Sequence, residues 1–336
     1  MEVFNMQVRK RVLMAGVGLL AAGAFVSSAS AVTNIKAVSG LKRTNTITQN
    51  FLTNMLEPLN AAGKGVVEMK YLGGHSVVPP RKAAKALQRG QFDWLHSPIS
   101  YYIGAVPEGY AFLASNVPVQ VFRANGGWEI LQEVFKKKVG ARLIGFGPNK
   151  TKYNMYLMMM PKFDKDGVPD LNGVKMRATG TYRPLFNALG ASTINMKSSE
   201  IYTGIQRGVV SGFGWPDVAI VPLGLHKIVK YRVTPAFYVT NSVETMNLNF
   251  YNKLSKEAKG IIDNVAIGYE ATGPIYMEAQ RSKEEKILHA EGVKDIALKG
   301  GAAKKYLAIA HGAIWEQLAK RSPEFGAKLK AKMYRE

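Results

Sequence analysis

A chain of 336 residues with 47% hydrophobic side chains is globular in composition and longer than one hydrophobic core comfortably fills, so two lobes are expected. It has no cysteine, which excludes thiol nucleophiles and thiolate metal sites. The formal charge of +21 raises nucleic-acid binding, but the basic residues are scattered and beyond residue 31 Lys136-Lys137-Lys138 is their longest run, so no nucleic-acid partner is expected and the field suits capture of small anions instead.

The chain opens like an address. Arg9, Lys10 and Arg11 precede an apolar run from Val12 to Val26, and Ala29-Ser30-Ala31 offers small side chains to a signal peptidase. Residues 1–31 are therefore expected to be a cleaved signal peptide and the protein to reside in the periplasm. The apolar run is shorter than the roughly 20 residues that a membrane-spanning helix needs. Next come a strand at Ile35 to Val38, a helix whose stripe is Phe51, Met55 and Leu59, and a strand from Val66 to Leu72. That order reads as a βαβ unit and an α/β fold.

An internal echo follows. Gln88-Arg89-Gly90 and Gln206-Arg207-Gly208 are each preceded by a helical segment and followed by a short strand that reaches a proline, Pro98 or Pro216. Glycine placed just past a helix accepts the left-handed conformation that ends it. The shared context predicts equivalent positions in two lobes, with the loops Leu95-His96-Ser97-Pro98 and Gly214-Trp215-Pro216-Asp217 facing each other at the carboxyl ends of the sheets, where open α/β sheets bind ligands. Ala141 to Phe146, Met155 to Met160 and Thr245 to Phe250 read as strands crossing between the lobes, with the stretch from Gly147 to Tyr153 as a turn. The Met158-Met159-Met160 run reads as buried strand. Residues 255–290 read as a long helix capped by Ser255 and interrupted at Gly273-Pro274, and one more amphipathic helix ends the chain. The expected architecture is a two-lobed periplasmic-binding-protein fold with a central ligand cleft, hinge strands and a long helix spanning the lobes. Residues 32–151 and 242–282 form the first lobe, and 152–241 and 283–336 the second.

Nucleophile elbows, zinc-protease motifs, phosphate-binding loops and dinucleotide fingerprints are all missing from the sequence, and its five histidines are dispersed. The chain is not expected to be an enzyme. Trp215, between Gly214 and Pro216, serves either as packing or as a wall for a ligand. His96 and Ser97 are nominated by the echo alone. One of Tyr101 and Tyr102 could offer a hydroxyl to a ligand, the other being core. Asp217 and Glu244 are weak candidates for holding a cation, and no cofactor is expected. Arg177, at the end of a turn and short strand, reads by itself as a surface residue.

Several segments together alter that reading of Arg177. Leu171-Asn172-Gly173-Val174-Lys175-Met176-Arg177, Ala188-Leu189-Gly190-Ala191, Glu200-Ile201-Tyr202, Arg207-Gly208-Val209-Val210 with Gly212, and Gly73-Gly74 through Pro80 with Tyr101-Tyr102 resemble the solute-binding proteins of TRAP transporters, the DctP-like family. The resemblance implies a protein that captures a small organic acid and delivers it to the small and large membrane subunits of a TRAP permease. It implies that Arg177 clamps the ligand carboxylate through its planar fork of donors, and that Tyr182 and Arg183 stand near. It also points to a basic group from the first crossing, Lys150 or Lys152. Ser211 departs from the acidic residue common at that position, and Trp215 replaces the family's Asn. The protein is expected to act as a monomer. The competing readings are a periplasmic enzyme acting on organic acids and a ligand sensor built on the same fold.

Overall fold

The computed structural model describes residues 31–335, apart from the side chains of residues 148–150. The expected signal peptide therefore falls almost wholly outside the described residues, as does the Lys150 side chain.

Nine strands form one mixed sheet: β1 (Thr33–Ser39), β2 (Val67–Gly73), β3 (Trp94–Pro98), β4 (Ala141–Leu157), β5 (Lys175–Ala178), β6 (Ser192–Asn195), β7 (Gly212–Pro216), β8 (Tyr231–Asn247) and β9 (Lys294–Ala297). Their order is β2-β1-β3-β8-β4-β7-β5-β6, with β9 paired to the early part of β8. Strands β1 to β3 are parallel to one another, as are β5 to β7. Between the two sets run β4 and β8, 17 residues each and antiparallel. One half of each long strand belongs to one set of parallel strands and the other half to the second, so the fold is two-lobed α/β about a shared pair.

The local chemistry explains most elements. Asn45 accepts from the Ile47 amide (2.9 Å) and starts the helix Thr46–Phe51. Ser255 accepts from the Ala258 amide (3.1 Å) and starts Lys256–Ala290, one 35-residue helix that runs through Pro274. This spine helix engages both halves. Glu270 takes the Phe146 amide (3.0 Å) and the Arg123 guanidinium, whereas Glu284 takes the amides of Ala219, Ile220 and Val221 at 2.8, 3.0 and 3.1 Å.

Three expectations need correction. Gly147 to Tyr153 is not a turn but the middle of β4. Its Gly and Pro sit where the ladder to β8 slips register between Thr240 and Ser242, a place where a strand tolerates a residue without an amide donor. The strand expected at Thr245 to Phe250 ends at Asn247, whose side chain accepts from the Phe250 amide (3.0 Å) and begins the helix Leu248–Lys253. Met159 and Met160 lie beyond the end of β4 and are 58% and 53% exposed, not buried strand.

At the C-terminus, Gly300–Arg321 touches both Gly109–Leu113 and Arg183–Ala188, and Gly326–Met333 packs on Gly109–Leu113 and Gly127–Val139. The end of the chain thus lies over both halves. No helix among the described residues is long and apolar enough to cross a membrane.

The echo occupies matching places. Gly90 (φ +71) follows the helix Ala83–Gln88 and leads into β3, and Gly208 (φ +67) follows Ile201–Gln206 and leads into β7. Strand β3 borders β8 and β7 borders β4, so both carboxyl ends arrive at the crossing, Pro98 opposite Ser242 and Pro216 opposite Tyr153.

Candidate functional site

Arg177 lies on β5, just past a turn at Gly173 (φ +77). Its neighbours Met176 and Ala178 enter the main core. Arg177 points to the other face of the strand and is 3% exposed. Its Nε donates to the Met196 carbonyl (3.0 Å), but Nη1 is buried without a hydrogen-bond partner among the described residues. A buried guanidinium nitrogen left unpaired is costly unless an acceptor arrives. Burial pulls the Arg177 guanidinium below its ordinary value. The phenols of Tyr182, Tyr101 and Tyr153 act against that shift, and the Arg81 charge adds to it. The Trp215 ring lies 5.6 Å from Arg177 Cζ, within range of a cation–π contact.

Aromatic side chains wall this guanidinium. Tyr182 is buried and meets Tyr153 edge-on at 5.2 Å and Phe237 at 6.0 Å. It rests on Gly214, where an added Cβ would come within 2.8 Å of the ring, so this position in β7 is reserved for glycine. Burial raises the pKa of Tyr182 well above its usual value, that of Tyr153 up to about 12, and that of Tyr101 as well. All three therefore remain neutral phenols that can donate to an anion at neutral pH. Trp215 is fixed in turn, its Nε1 donating to the Ala219 carbonyl (3.3 Å). Ala219 adopts φ +63, alone in this among the described non-glycine residues, in the turn that Glu284 holds.

Of the residues named from sequence, Arg177, Tyr182, Trp215 and Tyr101 come together. Ser97 and Tyr101 lie side by side under Gly40, whose added Cβ would fall 2.5 Å from Ser97 Oγ and 3.3 Å from the Tyr101 ring. His96 is fully buried, stacked on Phe51 at 4.5 Å and donating from Nδ1 to Glu244 Oε1 (2.6 Å), while Trp94 Nε1 donates to Glu244 Oε2 (2.8 Å). Asp217 is engaged by the Arg281 guanidinium (2.5 Å) and the Lys152 amide (3.2 Å), and burial, the largest influence, raises its pKa. The Lys152 side chain is exposed. Asp217 and Glu244 thus belong to separate networks. Another cluster, Glu285, His289 and Asp295, gathers around Arg232, whose guanidinium already supplies a positive charge to the two carboxylates. Tyr153 and Arg81 were not singled out from sequence. Tyr153 lay in the presumed turn, and nothing local distinguished Arg81 from other surface cations.

This arrangement can bind an anion and orient it, and it brings no nucleophile to a base. A family model described as bacterial extracellular solute-binding protein, family 7 (DctP) matches residues 38–304. The chain belongs to this family. The resemblance read at Leu171 to Arg177 and its companion segments holds, and as a family 7 solute-binding protein the chain is not an enzyme. The monocarboxylate 2-oxoacid-binding periplasmic protein of Nostoc sp. is 26% identical over 202 residues, 57% of this chain and 54% of that one. The chain spans about half the length of the curated relatives it matches. Two solved structures share the fold. DctP7 of Bordetella pertussis, an extracytoplasmic solute receptor binding pyroglutamic acid, has TM-score 0.73 at 17% identity, covering 90% of this chain and 100% of that one. A TRAP periplasmic solute-binding protein of Desulfovibrio salexigens with bound orotic acid has TM-score 0.76 at 19% identity, covering 89% and 96%.

Proposed function

We propose that this family 7 protein is exported through a cleaved signal peptide, captures a small organic acid in the periplasm, and delivers it to the small and large membrane subunits of a TRAP permease. The observation that carries the ligand class is the buried Arg177 guanidinium with Nη1 unpartnered among tyrosines and a tryptophan. A carboxylate completes it, because its two oxygens match the parallel donors of the fork. Tyr101, Tyr153 and Tyr182 supply hydroxyls, Trp215 supplies a flat wall, and His96, Ser97, Asp217 and Lys152 hold the strand ends that carry them. The first lobe is 32–151 with 242–282 and the second 152–241 with 283–336, the last helix lying back over the first. The bound acids named for relatives, a 2-oxoacid, pyroglutamate and orotate, are all carboxylates, which agrees with this reading.

The test is a thermal-shift screen of small acids against their amides. A ligand bound only by the folded state raises the melting temperature. Acids are expected to stabilise the protein and the matching amides are not, since an amide leaves the guanidinium charge unanswered. Equal stabilisation by an acid and its amide removes Arg177 from the site.

A further inference from the structure

From Met69 to Phe92 the sequence carries Lys70, Arg81, Lys82, Lys85 and Arg89 and no acidic residue. The fold gathers four of these cations with Lys42 and Arg43 around two open depressions in the first half. One, of about 470 Å³, is lined by Lys42, Arg43, Tyr71, Leu72 and His75 among others. The other, of about 430 Å³, is lined by Val78, Arg81, Lys82, Lys85 and Arg89. The short segment from Gly73 to Val78 joins them.

Lys42, Arg43, Arg81, Lys82, Lys85 and Arg89 are all exposed, and none forms an ion pair among the described residues. Some lysines elsewhere pair with carboxylates, as Lys137 does with Glu324 (2.8 Å) and Lys320 with Glu316 (2.6 Å), and others such as Lys283, Lys286 and Lys294 do not among the described residues, but Glu284, Glu285 and Glu291 stand among these in sequence, whereas residues 69–92 hold no acidic side chain. What sets this face apart is the density of its cations around two adjoining depressions, with no carboxylate of the same segment among them. A second feature belongs to the same surface: Leu72 and Val77 are 48% and 47% exposed.

We propose that this face rests on anionic lipid headgroups, with the six cations over the phosphates and Leu72 and Val77 entering the interface between them. Each Lys or Arg held close to an anionic leaflet adds attraction that salt screens, and interfacial aliphatic side chains add their buried area. Several cations around each of two shallow depressions suit separate phosphate groups. The aliphatic pair between them reaches an apolar layer only if the partner is a bilayer. The face is argued from exposed charges and does not depend on Arg177 being a ligand clamp. Arg81 links the two, because its charge is felt at Arg177. A protein resting this way holds its proposed site near the membrane.

The experiment is co-sedimentation of the purified protein with vesicles of phosphatidylcholine alone and with about one-third phosphatidylglycerol, at low salt and at about 0.3 M salt, where charge attraction is heavily screened. Binding to the anionic vesicles only, lost at the higher salt, is expected. The triple variant Lys82→Glu, Lys85→Glu, Arg89→Glu should bind at least tenfold more weakly, with its melting temperature and its response to an acid ligand unchanged. Leu72→Ser with Val77→Ser should weaken binding by a smaller factor. The control Lys283→Glu, Lys286→Glu, Lys294→Glu changes the net charge equally on exposed positions elsewhere and should bind as the parent does. The proposal is overturned by equal loss in that control, which would make net charge alone responsible. Equal binding to neutral vesicles would also overturn it, as would competition by inorganic phosphate beyond its ionic strength, which marks a site for a free anion. Absence of binding to anionic vesicles at low salt leaves an acidic protein surface as the occupant and ends the lipid reading.

Discussion

The two copies of the Gln-Arg-Gly echo share a frame and differ in chemistry. Strand β3 ends in a closed arrangement, where Glu244 takes both the Trp94 and His96 donors and Phe51 covers the imidazole. Strand β7 ends in an open one, where Trp215 stands half-buried beside a guanidinium with an unanswered donor. Repeated topology therefore brings two strand ends to one crossing, and they differ in what is left unanswered: a ring nitrogen, His96 Nε2, under Phe51 at the first, and a charged guanidinium donor, Arg177 Nη1, beside Trp215 at the second. A polar group whose partners are all supplied by the chain has little left for a ligand.

That contrast can be broken by mutation. Arg177→Ala should reduce acid affinity by about 2–5 kcal/mol, roughly thirty-fold to several thousand-fold, without lowering the melting temperature of the ligand-free protein. Arg177→Lys should lose most of the same affinity, because the ammonium keeps the charge and loses the fork. Calorimetry with an acid found in the thermal screen, set beside melting curves of each variant, reads both quantities. Binding within about threefold of the parent would remove Arg177 from the ligand site.

The first-half pair should behave in the opposite way. Glu244→Ala leaves two buried donors unsatisfied at about 1–3 kcal/mol each. Its melting temperature should drop by several degrees while acid affinity stays within about threefold. A large affinity loss with an unchanged melting point would bring His96 into direct contact with the ligand and dissolve the distinction.

Smaller effects sharpen the comparison inside the second half. Glu284→Gln replaces a carboxylate that accepts three amides by a group with one acceptor oxygen, and so loosens the 219–221 turn that anchors Trp215. About fivefold weaker binding is expected, with a shift in tryptophan emission that is absent when the same change is made in a Trp215→Phe background. Trp215→Phe alone loses one hydrogen bond and should weaken binding by about threefold, the smallest change in the series. An emission shift that persists without Trp215 would assign the effect to general loosening.

The sequence made some of this legible for identifiable reasons. The βαβ start, the spine helix with its Ser255 cap and the echo all rest on local signals, namely periodicity, caps and glycines at helix ends. The crossing strands were harder to read. Gly147 and Pro148 carry the signature of a turn, and only the partner strand β8, nearly a hundred residues away in sequence, turns them into a register slip. Arg177 was found through resemblance, since nothing within its own strand separates a buried guanidinium from an exposed one. Tyr153 was hidden by the misread turn. His96 and Asp217 were placed correctly at strand ends, but their partners Glu244 and Arg281 come from distant elements, so sequence could not reveal that His96 Nδ1 and the Asp217 carboxylate were already engaged.

The pair β4 and β8 has a mechanical consequence. Two continuous antiparallel strands, paired from Ala141 with Asn247 to Leu157 with Tyr231, behave as a twisted ribbon gripped at both ends by separate bodies. Such a ribbon resists shear and stretching through its hydrogen bonds and yields most easily in torsion, where its register slips leave fewer bonds to strain. Relative movement of the lobes is thereby reduced to little more than one angle. In the proposed function, twisting the ribbon stores elastic energy that a ligand offsets on closing and that is returned on opening.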